Sequence, residues 1–500
     1  MATRKTRAST SKRASTKKGK PASNAYALYD RSEPKQFEGL ESVLTRSELT
    51  GNMIVSSVTE DEPLNNTVKT LQSIAGISSA KVCSTSDFDT ESGISSEALD
   101  DASILRFEEL NIVIIKGDQE EITALSSANE QDSGIIVEPE YWNHPLGEPA
   151  AGRMTSTLLD GGYDFPDPEE DIDATDSNYS RDFLLGARAA IDMMLSPDDT
   201  TRKVVAQERC ISDTREFTWG LIATGVNASS HSGSGIKVAI LDSGLDDQHP
   251  DFAGRNVHAA SFIPATEPDN RPNDTNGHGT HCIGTSCGSL RPTSGPRYGI
   301  AHDAVIYSGK VLRQGPRGAA GADGWILAGI DWAMRNRCDI ISMSLGSRAT
   351  SAQYPMAYER AARAGLKRGT LIFAATGNDS KRSRRSVVAV GRPANCPSIA
   401  SVSAMDNCYR VANFSNGQLF GNGGEVNFTG PGVGVLSSVP RPRLRDVFNG
   451  TSMATPHAAG IAALIAQETG LRGIDLYREI ARRASNQGNR RAFGHGLVHV

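Results

Sequence analysis

The stretch Asp446-Val-Phe-Asn-Gly-Thr-Ser-Met-Ala-Thr-Pro-His-Ala-Ala-Gly460 carries one serine, Ser452, directly after Gly450-Thr451. From Met453 to Ala466 the chain is helix-forming. Small residues at 454, 458, 459, 460, 462 and 463 let that helix approach neighbouring backbone closely, so it is expected to be buried. Pro456 is expected in its first turn, where a missing N–H costs little. A serine on the first turn of a buried helix has its oxygen at the positive end of the macrodipole, which suits a nucleophile whose chemistry creates negative charge. The same position suits an N-cap. The rest of the chain decides between the two.

Five hundred residues with 38% hydrophobic content point to more than one domain, one of them large. No run approaches eighteen apolar residues, so no membrane span is expected. No apolar segment follows the basic N-terminus, so no secretory signal is expected either. Seven cysteines without a CxxC or regular framework read as free thiols in a reducing compartment. The net charge of −6 conceals a split: residues 1–20 carry eight Lys/Arg and no acid, leaving 44 basic against 58 acidic residues elsewhere. Such a tail binds acidic surfaces by counterion release or is simply solvated. The acidic body argues against nucleic acid as the main partner.

Residues 1–48 read as a basic, disordered tail. Residues 49–142 read as a compact unit. Asn52–Val58 is a strand, Pro63–Gly76 a helix with Leu64, Val68, Leu71 and Ala75 at helical spacing, and Ala80–Cys83 and Leu110–Ile115 are strands. A helix from Asp118 and a strand Gly134–Glu138 complete a β-α-β-β-α-β order, the ferredoxin-like α+β pattern. Residues 143–215 read as an acidic linker with one helix, Arg181–Leu195; eight acids and no base lie between Asp160 and Asp176.

From 216 to 500 strands alternate with helices. Ile236–Leu241, Ala304–Ser308, Ile340–Met343 and Thr370–Ala374 are strands; Gly279–Cys287, Ala322–Arg335 and Ala352–Lys367 are helices. The pattern predicts an α/β domain with a mainly parallel sheet covered by helices on both faces. Sites in such sheets collect at the carboxyl ends of strands. Polar residues stand there: Asp242 before Ser243-Gly244, Ser344-Leu345-Gly346 after Met343, and Asn378 after Gly377. His278 lies in Asn276-Gly-His-Gly-Thr-His-Cys-Ile-Gly284.

Together with Ser452 these residues supply a nucleophile, a base, an acid and an amide donor. A serine hydroxyl is a poor nucleophile until an imidazole takes its proton. His278 has the intrinsic pKa for that exchange. Asp242 would orient the imidazole and stabilise its cation, while the Asn378 amide and the Ser452 N–H would hold an oxyanion.

Asp242-Ser-Gly, Asn276-Gly-His-Gly-Thr-His281, Ser344-Leu-Gly, Ala374-Ala-Thr-Gly-Asn378 and Gly450-Thr-Ser-Met-Ala-Thr-Pro-His457 resemble the subtilisin-like serine proteases. The order Asp, His, Ser is that of the subtilisins. Trp219-Gly-Leu, His249-Pro-Asp-Phe252, Thr429-Gly-Pro-Gly432 and Gly494-His-Gly-Leu-Val498 match as well, so the resemblance covers roughly 216–500. It implies catalytic Asp242, His278 and Ser452 and an oxyanion hole at Asn378. Substrate would lie extended on Ser344, Leu345 and Gly346. Ala375, Gly377 and Gly391 would line a roomy pocket, with Asp379 tolerating a basic residue at its rim. The unit ending in Ile136-Val-Glu-Pro-Glu140 is similar to the family's inhibitor-type propeptide, an intramolecular inhibitor that is cut off. The expected activity is a broad serine endopeptidase, self-processed from a zymogen, monomeric and without a required cofactor. Ser289–Pro296 lacks the family's asparagine-rich calcium loop; Asp251 matches one ligand alone, so structural calcium is not expected there. Cys282 resembles the free thiol of proteinase K-like members, which implies inhibition by mercurials.

Other readings are weaker. Asp132-Ser-Gly as an aspartic-protease partner of Asp242-Ser-Gly follows no hydrophobic strand. His278 and His281 as a zinc pair lack a third ligand; His281 and His457 read as structural members of their motifs. Lys381–Arg385 reads as an exposed loop. A non-catalytic subtilase-fold binding module would have lost Asp242, His278, Asn378 or Ser452, and all are present. The missing signal and the odd cysteines favour the cytoplasm, with secretion by a non-standard route as the alternative.

Overall fold

The computed structural model describes residues 49–59, 63–75, 81–117, 121, 124–125, 134–149 and 210–500, apart from 316–317, 350–351 and 420–422. The basic tail, the acidic stretch with its expected helix, and nearly all of the helix expected after Asp118 lie outside these residues.

A seven-stranded sheet forms the core. In spatial order it runs Phe428–Pro431, Ala400–Met405, Leu371–Ala375, Ile340–Met343, Lys237–Asp242, Val305–Lys310 and Val257–Ser261. Every neighbouring pair is parallel. Alternate side chains face opposite layers. Val238 and Ile240 pack with the helices His278–Cys287 and Thr451–Thr469. Ala239 and Leu241 pack with Asp323–Arg335 and Met356–Arg368. Burial on both faces is why these strands read as unbroken apolar runs. The chain leaves Lys237–Asp242 toward one edge and returns to its other side at Ile340–Met343, so the order reverses there. The carboxyl ends at such a reversal leave a crevice. Asp242 and Ser344 stand on its two sides.

The upstream unit is a second sheet. Strand Leu49–Ser57 lies between Ile135–Pro145 and Ile112–Ile115, and Ile104–Phe107 lies beyond, all antiparallel. This is the ferredoxin-like order. The strand Ile104–Phe107 and the preceding helix Ser96–Asp101 were not expected. The expected strand near Ala80–Cys83 is only a three-residue edge, Val82–Ser84. Four residues interrupted by Arg106 give too short an alternation to read as a strand. Val55, Val113 and Ile115 meet Leu64, Val68 and Leu71 of the helix Leu64–Ala75. Ile54, Leu105, Phe107, Ile112 and Ile114 face the other way, onto the larger unit. The strand from Ile135 runs to Pro145, past the boundary drawn at 142.

Three other expectations are corrected. Pro456 is the sixth residue of Thr451–Thr469, not in its first turn. Its missing N–H frees the Ser452 carbonyl, which instead accepts from Ser344 Oγ at 2.8 Å and Cys282 Sγ at 3.5 Å. The helix placed from Ala352 begins at Met356, because Pro355 imposes an extended start. The cysteines are not all free: Cys210 is bonded to Cys408 across 198 residues, a separation no local spacing reveals. Ile211 and Asn407 continue that junction with paired hydrogen bonds of 2.8 Å. Among the described residues no helix is long and apolar enough to cross a membrane.

Thiol titration of unfolded, unreduced protein is expected to count five cysteines (83, 282, 287, 338 and 396), rising to seven after reduction. Seven before reduction would remove the Cys210–Cys408 bond.

Candidate active site

Asp242 ends its strand and is 1% exposed, as is His278. Asp242 Oδ1 lies 2.8 Å from His278 Nδ1 and also accepts the Ser243 N–H at 2.8 Å. Burial alone would lower the His278 pKa, but the Asp242 carboxylate and the Cys282 sulfur carry it well above the ordinary imidazole value. His278 Nε2 is buried with no hydrogen-bond partner. It is the atom free to take a proton.

The residue that joins these two elements was missed in the sequence. Asp274 caps the His278 helix: Oδ1 accepts from Asn276 N and Gly277 N, and Oδ2 from Thr280 N and Oγ1. Ser243 Oγ donates to Asp274 Oδ1 at 2.9 Å and accepts from Gly279 N at 2.8 Å. The backbone after Asp242 is thereby tied to the first turn of the histidine helix. Gly277 holds the N-cap position, so the aspartate, three residues farther upstream, carries no local capping signal. Lys310, wholly buried, donates to the Ser243 carbonyl at 2.7 Å and pairs with Asp269.

Ser452 is the second residue of its helix, and Gly450 precedes that helix with no side-chain cap. The serine is therefore not the cap. Its Oγ donates to the Ser344 carbonyl at 2.8 Å, turned away from His278 Nε2. Hydrogen bonds between nucleophile and base are commonly loose before the reacting complex forms. Asn378 follows Gly377, whose φ of +109° and close approach to Asn416 Nδ2 admit only glycine. Thr451 N and Oγ1 both donate to Asn378 Oδ1, at 3.0 and 2.9 Å. This fixes the carboxamide with Nδ2 facing outward. Asn378 Nδ2 and Ser452 N then converge on one oxygen, the carbonyl of Leu146, at 2.5 and 3.1 Å.

The cleft is occupied by the chain itself. Pro145 lies opposite Leu345 and His144 opposite Gly346; on the other side Asn143 lies opposite Gly321 and Trp142 opposite Ala322. Gly346 faces Leu146: a Cβ there would stand 3.3 Å from Leu146 Cδ1. Gly391 donates to the Thr376 carbonyl at 2.9 Å and approaches Ser347 O, so it spans the segments after Ala375 and Gly346. Asp379, expected to tolerate a basic residue at the rim, is engaged by Arg348 at 3.3 Å and Asn416 at 3.1 Å.

The remaining candidates have structural partners. His281 bonds the Val435 carbonyl at 3.0 Å and stacks on Phe448; burial, then the neighbouring His278, hold its pKa down to about 3. His457 bonds Met453 O at 2.7 Å, and burial lowers it to about 4. Asp251 is taken up by Thr293 and by Tyr298 OH at 2.5 Å, which leaves its carboxylate turned to the protein. Among the described residues Asp242, His278 and Cys282 form the one group with three ligand-type atoms mutually close, and Cys282 Sγ is 3.9 Å from His278 Nδ1. In the loop read as exposed, Arg382 is anchored to the Ser415 carbonyl at 2.8 Å.

A hydroxyl, an unpartnered imidazole nitrogen with a carboxylate behind it, and two N–H donors aimed at one carbonyl suit acyl transfer. Comparison with known proteins agrees. The family model described as "Subtilase family" matches residues 233–496, more than half of the chain. Subtilisin E of Bacillus subtilis (strain 168) is 35% identical over 279 residues, covering 56% of this chain and 68% of the relative. The subtilisin of Bacillus pumilus is 34% identical over 279 residues and 94% of its own length. Subtilisin BL of Lederbergia lenta is 35% identical over 286 residues and 96% of its length. With its motifs in that family's order and on the elements that bring them together, the chain belongs to the subtilase family of serine endopeptidases.

Proposed function

We propose that this chain is the zymogen of a serine endopeptidase that cuts extended polypeptide, with Ser452 as nucleophile, His278 as general base, Asp242 as its orienter and Asn378 as oxyanion donor. The observation that carries the reading is the Leu146 carbonyl, which accepts from Asn378 Nδ2 and Ser452 N together. These donors are in place before charge develops, so stabilising the oxyanion requires no reorganisation. His278 accepts the Ser452 proton at Nε2 and later returns it to the leaving amine. Asp242 keeps Nδ1 protonated and stabilises the cation between those events. Backbone pairing on Leu345–Gly346 reads main chain rather than side chains, which supports a broad choice of substrate. Ala375, Gly377 and Gly391 are assigned to the pocket for the residue before the cut.

The upstream unit is the inhibitor in this reading. The helices Asp323–Arg335 and Met356–Arg368 begin after Ala322 and Pro355, which offer no side-chain cap. Glu138 supplies one: its oxygens accept from Met356 N and Ala357 N at 2.8 and 2.9 Å. Glu140 accepts from Gly324 N at 2.7 Å. Two glutamates meet two positive helix ends: burial pushes both carboxyl pKa values up, and the N–H groups at the helix starts work against that shift. The unit therefore covers the cleft while completing helices of the larger domain.

Ser452→Ala is expected to abolish casein hydrolysis in purified protein; retained hydrolysis would sink the mechanism. Asn378→Ala should lower kcat by about 10²–10³-fold with little change in KM, the loss known from subtilisin itself. The base works only as neutral imidazole, and its raised pKa is protonated below that value. The acid limb of the self-cutting rate is thus expected above pH 6.5, the ordinary imidazole value, falling about tenfold per pH unit below it. A limb near pH 5 would contradict the Asp242–His278 coupling. Glu138→Ala leaves two helix N–H groups unmet at a cost of about 1–3 kcal/mol. The lag before casein hydrolysis by full-length protein should shorten about tenfold; an unchanged lag would remove the capping role.

A further inference from the structure

We propose that the first peptide bond this chain cuts is its own, between Leu146 and Gly147, and that the packing of this precursor selects glycine on the leaving side of that bond. The inference rests on the zymogen reading above and adds the bond and its local requirement.

Pairing stops at one place along the segment. Upstream, Trp142 to Pro145 are registered against Ala322, Gly321, Gly346 and Leu345 in turn. Leu146 N donates to the Ser344 carbonyl at 3.1 Å, ending that run. Downstream, Glu148 lies opposite Asn449 and Pro149 opposite Phe448, on the other side of the Ser452 helix start. Only the Leu146–Gly147 peptide crosses between the two walls. Its carbonyl oxygen is the one held by Asn378 and Ser452.

Steric limits select the residues. A Cβ at Gly147 would stand 2.9 Å from Met453 Sδ, 3.0 Å from His278 Nε2 and 3.1 Å from Ser452 Cβ. A side chain there requires Met453 to move and His278 and Ser452, the base and the nucleophile, to give by a few tenths of an ångström. Gly450 meets the same peptide from the opposite side: its Cβ would fall 2.3 Å from Leu146 O and 2.7 Å from Gly147 Cα. Gly450 has φ of +153°, open to glycine alone. Two glycines thus admit a bare peptide to the gap.

The chemistry balances on residues already in place. Ser452 Oγ turns from the Ser344 carbonyl to His278 and gives Nε2 its proton as the Oγ–C bond to Leu146 forms. The carbonyl electrons move to the oxygen held by Asn378 Nδ2 and Ser452 N. They return as the C–N bond to Gly147 breaks, and His278 passes its proton to the Gly147 amine. Water then cleaves the Leu146 ester, leaving a carboxylate and the restored Ser452 hydroxyl. Residues 147–209, with the acidic stretch, stay joined to the catalytic part after this cut.

The test uses the full-length chain, quenched at early times and mapped at both new termini by mass spectrometry. The released piece is expected to end at Leu146 and the remainder to begin at Gly147. The rate should be unchanged over a hundredfold dilution, since the bond already lies in the cleft of its own chain. Ser452→Ala should remain whole. A first cut at another bond, with casein hydrolysis intact, would overturn this inference and leave the peptidase reading standing. Failure of wild-type protein both to cut itself and to hydrolyse casein would overturn the peptidase reading beneath it. Gly147→Val should slow the first cut at least tenfold in precursor whose circular dichroism matches that of Ser452→Ala. An equal rate would overturn the steric requirement.

Discussion

The 2.8 Å contact between Asp242 and His278 is the constraint around which the site is built. A carboxylate and an imidazole, each 1% exposed, stay together in a buried site only where their backbones are held in register. The register comes from neighbours with no part in the chemistry. Asp274 and Ser243 lock the strand end to the histidine helix, and Lys310 holds the carbonyl beside them. One strand of a parallel sheet and one helix packed on its face thus become a single rigid pair.

The Ser452 helix is seated by a different device. Its proline removes a hydrogen bond within the helix, and the freed Ser452 carbonyl is taken by Ser344 and Cys282. The loss becomes a link: the same bonds connect the nucleophile's backbone to the strand that receives substrate and to the helix of the base. Thr451, beside it, aligns Asn378. A local irregularity in one helix therefore couples three motifs that are far apart along the chain, and Thr451 joins the fourth.

The upstream unit uses the physics of helix ends. Two helices begin without caps, and two glutamates from the upstream strand fill the vacancy. Asp323, the first residue of one helix, in turn accepts from Tyr141 N at 2.9 Å and Asn143 Nδ2 at 2.6 Å. These contacts align the strand just before it enters the cleft. Placement of Leu146 and Gly147 follows from that alignment together with pairing on Leu345–Gly346.

By itself the sequence determined what local periodicity and short motifs encode. The parallel α/β domain was legible because strands covered on both faces are long apolar runs between amphipathic helices. Asp242 and Asn378 were legible because each follows such a run at a strand's end, and His278 and Ser452 because each stands among glycines and small polar residues where a helix begins. Tertiary structure alone decided whatever depends on residues meeting from afar. The Cys210–Cys408 bond, the engagement of Asp379 by Arg348, the partners of the carbonyl freed by Pro456 and the glutamate caps at Met356 and Gly324 all join distant segments. No spacing announces them, since their distances are set by packing the sheets and helices. The strand Ile104–Phe107 was too short for alternation to reveal, and Gly147 carried no motif at all. Its meaning arises only from the absence of space between His278, Ser452 and Met453.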